Sequence, residues 1–363
     1  MKNSLNIVLV STPIGFVGSG KGGGVELTIT SLIKGLHTLG HEITLIAPEG
    51  SFLPKDCDEI TIKNISGKPQ LSWQHLNPNS PVQIPFEGVL PKMWEEALDI
   101  GINADAVLNF GYDWLPIWLT SHVKVNLFHL ISMGCESEIM RKVIEETSNL
   151  YPSRFAFHTS RQAADFSLSN KPFIVGNGFD LANYEFSIKG DGPIGWAGRV
   201  APEKGLEDAV AVANKLGEKL MVWGFIEDQE YANKVQKLYP KGAIEWRGFL
   251  PTYKFQKEIR NCRALINTPK WNEAYGNVVV EAMACGVPVV SYDRGGPGEL
   301  IDPYFNGILV EPDNIDELIK AVKTINLVDR KNCREWVYRN ASINVFAERI
   351  HSWITSNSKI NTN

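Results

Sequence analysis

Apolar residues in this chain come in short unbroken blocks separated by stretches at helical spacing, and that alternation recurs along most of its length. Residues 5–11 form such a block, too continuous for a strand with one wet face, and predict a strand of a parallel sheet covered on both sides. Val25, Ile29, Leu32, Ile33, Leu36 and Leu39 then recur at helical spacing as far as Gly40-His41, and residues 43–47 predict the next strand. The same pattern predicts a helix over 92–100, a strand over 106–110, a short helix through Trp114 and Trp118, and strands over 124–129, 155–159 and 173–175. Residues 66–91, rich in Pro, Asn and Ser, predict an irregular excursion, and 181–192 a linker. A fresh alternation follows, with strands over 193–197, 219–223, 243–246 and 264–267 and helices over 206–216, 228–238 and 278–285, the last stopped by Gly286-Val287-Pro288. Residues 329–354 predict two closing helices. The expected fold class is therefore α/β, with two doubly wound, Rossmann-like domains.

Length agrees, since 363 residues exceed one comfortable core. A net charge of −5 without any Lys/Arg run argues against a nucleic-acid partner and for a small ligand. No apolar run approaches the ~20 residues of a membrane span, and the opening apolar run is too short for a signal peptide. Cys57, Cys135, Cys262, Cys285 and Cys333 are odd in number and scattered, so a reduced cytoplasm is the expected home. Asn64-Ile65-Ser66 then reads as a chance glycosylation acceptor.

Three motifs are decoys. Gly15 to Lys21 fits a P-loop, but Gly22 stands where Ser or Thr should hold magnesium. Gly18, Gly20 and Gly23 fit a dinucleotide fingerprint but begin several residues after the strand, not in its tight turn. Asp56-Cys57-Asp58 follows Pro54-Lys55 in a polar loop and predicts a surface turn; it is assigned no metal.

The informative stretch is 264–299. A strand leading into a helix opened by Gly276, Asn277 and Val278 offers unpaired N–H groups and a positive dipole end to a phosphate. Glu273 lies before that helix start and Glu281 one turn inside it; carboxylates suit paired hydroxyls, so the ligand implied carries hydroxyls on either side of a phosphate, as a nucleotide sugar does. Arg199 and Lys204 supply two cations on one loop, enough for a diphosphate.

Glu273, Gly276 and Glu281, with Ala282-Met283-Ala284-Cys285-Gly286-Val287-Pro288 and then Gly295, Gly296 and Glu299, resemble the E-x7-E motif of glycosyltransferase family 4, retaining enzymes of the GT-B fold. Gly198-Arg199 through Lys204-Gly205 resembles the family's phosphate loop, and Gly176-Asn177-Gly178-Phe179-Asp180 its segment before the interdomain linker. The resemblance implies an acceptor-binding domain over 1–180 that includes a crossover helix from about 340 to 363, a donor domain over 190–339, and a cleft between them. It also implies catalytic roles for Arg199, Lys204, Glu273 and His129, the last at a strand end facing the donor sugar. Gly198, Gly248, Phe249, Leu250, Gly276, Asn277, Val278 and Glu281 would bind the donor, with Gly248 to Leu250 at the base. Gly23-Gly24-Val25-Glu26 resembles the family's segment facing acceptor and donor phosphates. No metal or cofactor is expected beside the nucleotide sugar, and the oligomeric state stays open.

The long glycine-rich opening resembles members that move glucose from UDP-glucose to tetrahydrobiopterin. On that resemblance Phe16, Tyr112 and Trp114 would stack on a pterin, Glu26 or Asp113 would meet its aminopyrimidinone edge, and Gly23 and Gly24 would let backbone approach it. The rival expectations are another sugar, lipid or small-molecule acceptor, a sugar-nucleotide epimerase, and a non-catalytic nucleotide-sugar sensor.

Overall fold

The computed structural model describes residues 4–19, 23–239 and 242–357; Gly20, Lys21 and Gly22 of the glycine loop and residues 358–363 of the expected crossover segment lie outside them. The chain forms two units, one ending at Gly178 and resumed from Ile343, the other Phe179–Ser342.

The first unit contains β1 (Asn6–Val10), α1 (Gly23–Thr38), β2 (Glu42–Pro48), β3 (Thr61–Ile65), α2 (Val89–Gly101), β4 (Ala106–Asn109), α3 (Trp114–Leu119), β5 (Leu127–Ile131), α4 (Glu138–Leu150), β6 (Phe155–Phe157), α5 (Ser160–Ala163) and β7 (Phe173–Ile174). Its parallel sheet has the order β3-β2-β1-β4-β5-β6-β7, so the strand order reverses between β1 and β4. The unbroken apolar run of β1 is explained by its two covered faces. Ile7 and Leu9 join one core with Ile29, Leu32 and Leu36, while Val8 and Val10 join another with Leu90, Met93 and Trp94 of α2. Strand β3, Thr-Ile-Lys-Asn-Ile, was not anticipated because an edge strand half in water carries no apolar run.

The second unit contains β8 (Ile194–Ala197), α6 (Leu206–Leu216), β9 (Leu220–Trp223), α7 (Gln229–Leu238), β10 (Ile244–Gly248), α8 (Thr252–Ile259), β11 (Ala264–Asn267), α9 (Asn277–Ala284), β12 (Val289–Tyr292), α10 (Pro297–Leu300), β13 (Gly307–Val310), α11 (Ile315–Thr324) and α12 (Arg330–Asn340). The sheet order β10-β9-β8-β11-β12-β13 reverses between β8 and β11. Residues 181–192, expected as a linker, are built into this unit: Ser187 N donates to Cys285 O at 3.0 Å, and Arg330 Nε donates to Ser187 O at 2.8 Å.

The last helix, α13 (Ile343–Asn357), packs in the first unit against α1. Gly35 allows the approach, since a Cβ there would stand 2.7 Å from Ile343 O and 2.8 Å from Ala347 Cβ. Phe346, Ile350 and Trp353 complete the core over that face of the sheet. Among the described residues no helix is long and apolar enough to cross a membrane.

Candidate functional site

In the second unit the carboxyl ends of β8 and β11, either side of the order reversal, carry the two loops that the sequence singles out. Parallel sheets bind ligands at such a point because flanking loops diverge there and leave a crevice. Residues 268–276 separate β11 from α9, so the helix start is reached through a loop rather than directly from the strand.

The two loops are clamped together by backbone. Lys270 N donates to Glu203 O at 2.8 Å, and Thr268 Oγ1 donates to Gly205 O at 2.8 Å. Gly205 (φ 63°) has Thr268 O where a Cβ would stand, so no other residue fits without moving a loop. Lys270 Nζ reaches Asp208 at the start of α6 and Asp313 Oδ1 at 2.8 Å, and Tyr292 Oη donates to Asp208 Oδ2 at 2.5 Å. This charge set, buried at Asp208 and exposed at Asp313, holds the loop that bears Glu273.

Across the clamp Lys204 Nζ lies 2.5 Å from Glu273 Oε2 and 4.7 Å from the Trp271 ring centre, and the Trp271 indole donates to the same carboxylate at 3.2 Å. Burial pushes the Glu273 pKa up, but Lys204, the indole and then Arg199 outweigh it and hold the group below the ordinary carboxylate value. Arg199 pairs with Glu203 at 2.9 Å and with Glu227. Both cations the sequence assigned to a diphosphate are thus held by carboxylates on their own unit.

Gly276 (φ 101°) opens α9 as its N-cap, and Asn277 and Val278, half-buried, present its first turn. Behind them Gly295 and Gly296 press on the Glu273 loop: a Cβ on Gly295 (φ 61°) would stand 2.5 Å from Glu273 N, and Gly296 N donates to Glu273 O at 2.6 Å. Glu281, one turn into α9, accepts from Tyr184 Oη at 3.2 Å. Burial pushes its pKa up to about 7, with the Tyr184 hydroxyl alone pulling the other way.

Gly198 and Gly224 follow β8 and β9, Gly248 ends β10, and the three form a ledge of main chain, in which Gly198 N donates to Trp223 O and Gly224 N to Gly248 O, each at 3.0 Å. Gly224 (φ 138°) is required because Gly198 O occupies its Cβ position. Phe249, 46% exposed, and half-buried Leu250 continue the ledge. Sequence reasoning passed over Gly224, Glu227, Trp271 and Tyr184. A glycine directly after a strand could have signalled the first; Tyr184 gave no signal inside an expected linker.

The first unit corrects several expectations. The fifth strand runs to Ile131, so His129 stands inside it and not at its end. It is wholly buried, with Nδ1 at 3.1 Å from Asn109 Nδ2 and Nε2 at 2.8 Å from Thr120 Oγ1. Burial, then Arg154, pushes its pKa down to about 3, which describes a neutral structural histidine rather than a group facing a sugar. Tyr112 is likewise core, its hydroxyl donating to Gly134 O at 3.1 Å. Glu26 accepts from Gly18 N at 2.9 Å and Ser19 Oγ at 2.8 Å, so it holds the glycine loop to α1. Phe16 is 43% exposed, Gly23 and Gly24 open α1, and Trp114 stacks on Trp118. Asp113 is buried and accepts from Gln70 Nε2 at 3.0 Å. Asp56 pairs with Lys34 at 2.5 Å in a surface 3-10 turn, as the decoy reading expected.

Comparison with known proteins bears on the second unit most directly. Residues 186–358 match the family model of glycosyl transferases group 1. A glycosyltransferase of Methanocaldococcus jannaschii is 24% identical over 375 residues, covering 91% of each chain, and another from the same organism matches over 48% of this chain, about half of its own length. The GDP-mannose-dependent alpha-mannosyltransferase of Mycolicibacterium smegmatis is 28% identical over 38% of this chain and 35% of its own. Among solved structures, Anabaena HepE in complex with UDP and glucose has a TM-score of 0.74 at 17% identity, over 97% of this chain and 100% of its own. Sucrose-phosphate synthase from Thermosynechococcus elongatus reaches 0.75 at 18%, over 97% and 98%. The fold is GT-B, two parallel-sheet Rossmann-like units.

Proposed function

We propose that this chain is a retaining, metal-independent glycosyltransferase of family 4 that moves glucose from UDP-glucose to a small acceptor, a reduced pterin, in the cytoplasm. The carrying observation is the Lys204–Glu273 pair at the order reversal of the second sheet, with Arg199 on the same loop. On this reading the diphosphate takes the place of the carboxylates around Arg199 and Lys204. Its charge grows as the sugar departs, and two fixed cations with the amides of Asn277 and Val278 stabilise that charge without reorganising. Glu273, released from Lys204, accepts from hexose hydroxyls; Glu281 and the ledge at Gly248 to Leu250 take ribose and base. The resemblance to family 4 implies attack from the departing face, a phosphate oxygen receiving the acceptor's proton.

The glycosyltransferase reading is supported by the match to group 1 and by relatives that act on nucleotide sugars by name. The pterin acceptor rests on the glycine-rich opening of the chain. A donor-by-acceptor screen with mass-spectrometric detection tests both, and the expected product is a pterin glucoside formed from UDP-glucose. Turnover of UDP-N-acetylglucosamine without an acceptor would replace the reading with an epimerase, and nucleotide-sugar binding without any turnover would replace it with a sensor.

A further inference from the structure

The first unit buries two hydrogen-bond acceptors side by side to which none of the described residues donates. Asp113 is 4% exposed; its Oδ2 accepts from Gln70 Nε2 at 3.0 Å, while its Oδ1 and Gln70 Oε1 are buried without partners. The backbone N–H groups of Trp114 and Leu115 and the Trp73 indole face the carboxylate, but no donor meets Oδ1 in hydrogen-bonding geometry. The amide cannot relieve this by turning over, because Oε1 would then oppose a carboxylate oxygen.

The pair also has a place in the fold. Asp113 lies just past β4, and Gln70 is tied to the chain past β1 by a bond from its N–H to Pro13 O at 3.0 Å. A Cβ on Gly111 would stand 3.8 Å from Pro13 Cδ, so the β1 and β4 exits are in contact there. These are the two strands between which the first sheet reverses its order, the point where a parallel sheet leaves a crevice. Tyr112 and Trp114, the residues either side of Asp113, belong to or pack against one apolar cluster with Trp73.

A ligand meeting two fixed acceptors must bring two adjacent donors and no acceptor between them. An N–C–N edge with both nitrogens protonated does so in one plane, and the aminopyrimidinone edge of a pterin is of that class. We infer that Asp113 and Gln70 are the anchor for the acceptor, gripping it by an N–C–N donor edge. This rests on the pterin reading and deepens it, adding Gln70 as a residue that selects the acceptor.

The test is titration calorimetry of the full chain, saturated with UDP and kept anaerobic, with a reduced 2-amino-4-oxo pterin and its 2,4-dioxo counterpart, which presents an oxygen where the amino group stood. Wild-type protein is expected to prefer the amino compound by about 10- to 100-fold, the worth of a hydrogen bond to a charged group. Asp113→Asn is expected to reduce that preference to within about threefold, and Gln70→Leu, at a half-buried position outside the sheet, to lower it by about fivefold, the worth of a neutral bond. Near-UV circular dichroism and thermal melting of each variant, compared with wild type, report that the first unit, which carries both substitutions, has folded. An undiminished preference in both variants overturns the anchor while leaving the pterin acceptor standing. Failure of the wild-type protein to bind either compound overturns the anchor and the pterin acceptor together; transfer from UDP-glucose to some other acceptor would still uphold the transferase.

Discussion

Lys204 Nζ stands 2.5 Å from Glu273 Oε2, joining the loop after β8 to the loop after β11. The ammonium is therefore both the partner of the group proposed for hexose and the group proposed for phosphate. Removing it should do two things, and a double-mutant cycle separates them. Lys204→Ala and Arg199→Ala are each expected to lower kcat by ~10²–10³ with a smaller change in donor KM, because their main work is on charge that develops in the transition state. The losses in Lys204→Ala and Glu273→Ala should be strongly non-additive, since the single change at Lys204 leaves a carboxylate beside the diphosphate without its counter-charge. Wild-type kcat in Lys204→Ala removes the role assigned to it.

Because two fixed cations are proposed to meet the diphosphate, activity should persist in excess EDTA, measured after exhaustive dialysis against chelator. A requirement for added Mg²⁺ or Mn²⁺ would show that Arg199 and Lys204 do not suffice.

Gly295 offers a test of the loop clamp that does not touch a ligand group. Its φ of 61° and the 2.5 Å approach of a Cβ to Glu273 N mean that Gly295→Ala must displace the Glu273 loop. The expected result is a melting temperature lower by a few degrees and UDP-glucose affinity weakened at least ~10-fold. Free UDP, which does not need Glu273, should lose less. Equal losses for both ligands would show that the displacement spreads to the ribose and base contacts.

What could be read from the sequence divides along physical lines. Both sheets were legible because strands buried on two faces are continuous apolar runs, as in β1, β4 and β11, and Arg199 and Lys204 could be placed on one loop because they are near one another in sequence. Strand β3 was not, since its exposed Lys63 and Asn64 resemble a loop. A two-residue error at the end of β5 moved His129 from the strand interior to its mouth, and a strand residue's neighbours change completely with its position. Glu26 and Tyr112 were assigned to an acceptor on chemistry alone. Each has a local partner, Gly18 and Ser19 for one and Gly134 for the other, that only the folded chain reveals. The partner of Glu281, Tyr184, lies 97 residues away along the chain.

Glu281 makes the sharpest prediction about pH. Burial holds its pKa at about 7 in the unliganded protein, against an ordinary value of 4.5. If it accepts hydrogen bonds from ribose hydroxyls, the bound form is the carboxylate, so binding below pH 7 must expel a proton. The sign follows: UDP affinity should rise with pH up to about 7 and level off above it. With that pKa the deprotonated fraction at pH 6 is roughly one tenth, so Kd there should be about tenfold weaker than at pH 8. Calorimetry in buffers of different ionisation heat should register close to one proton released per UDP at pH 6 and almost none at pH 8. In Glu281→Gln the slope should vanish, leaving one weak affinity at both values. The second phosphate ionisation of UDP also falls near pH 6, so the comparison that decides is wild type against variant under identical conditions, not the wild-type slope alone. A Glu281→Gln protein that keeps the full tenfold change would assign the titration to the ligand and remove Glu281 from the ribose.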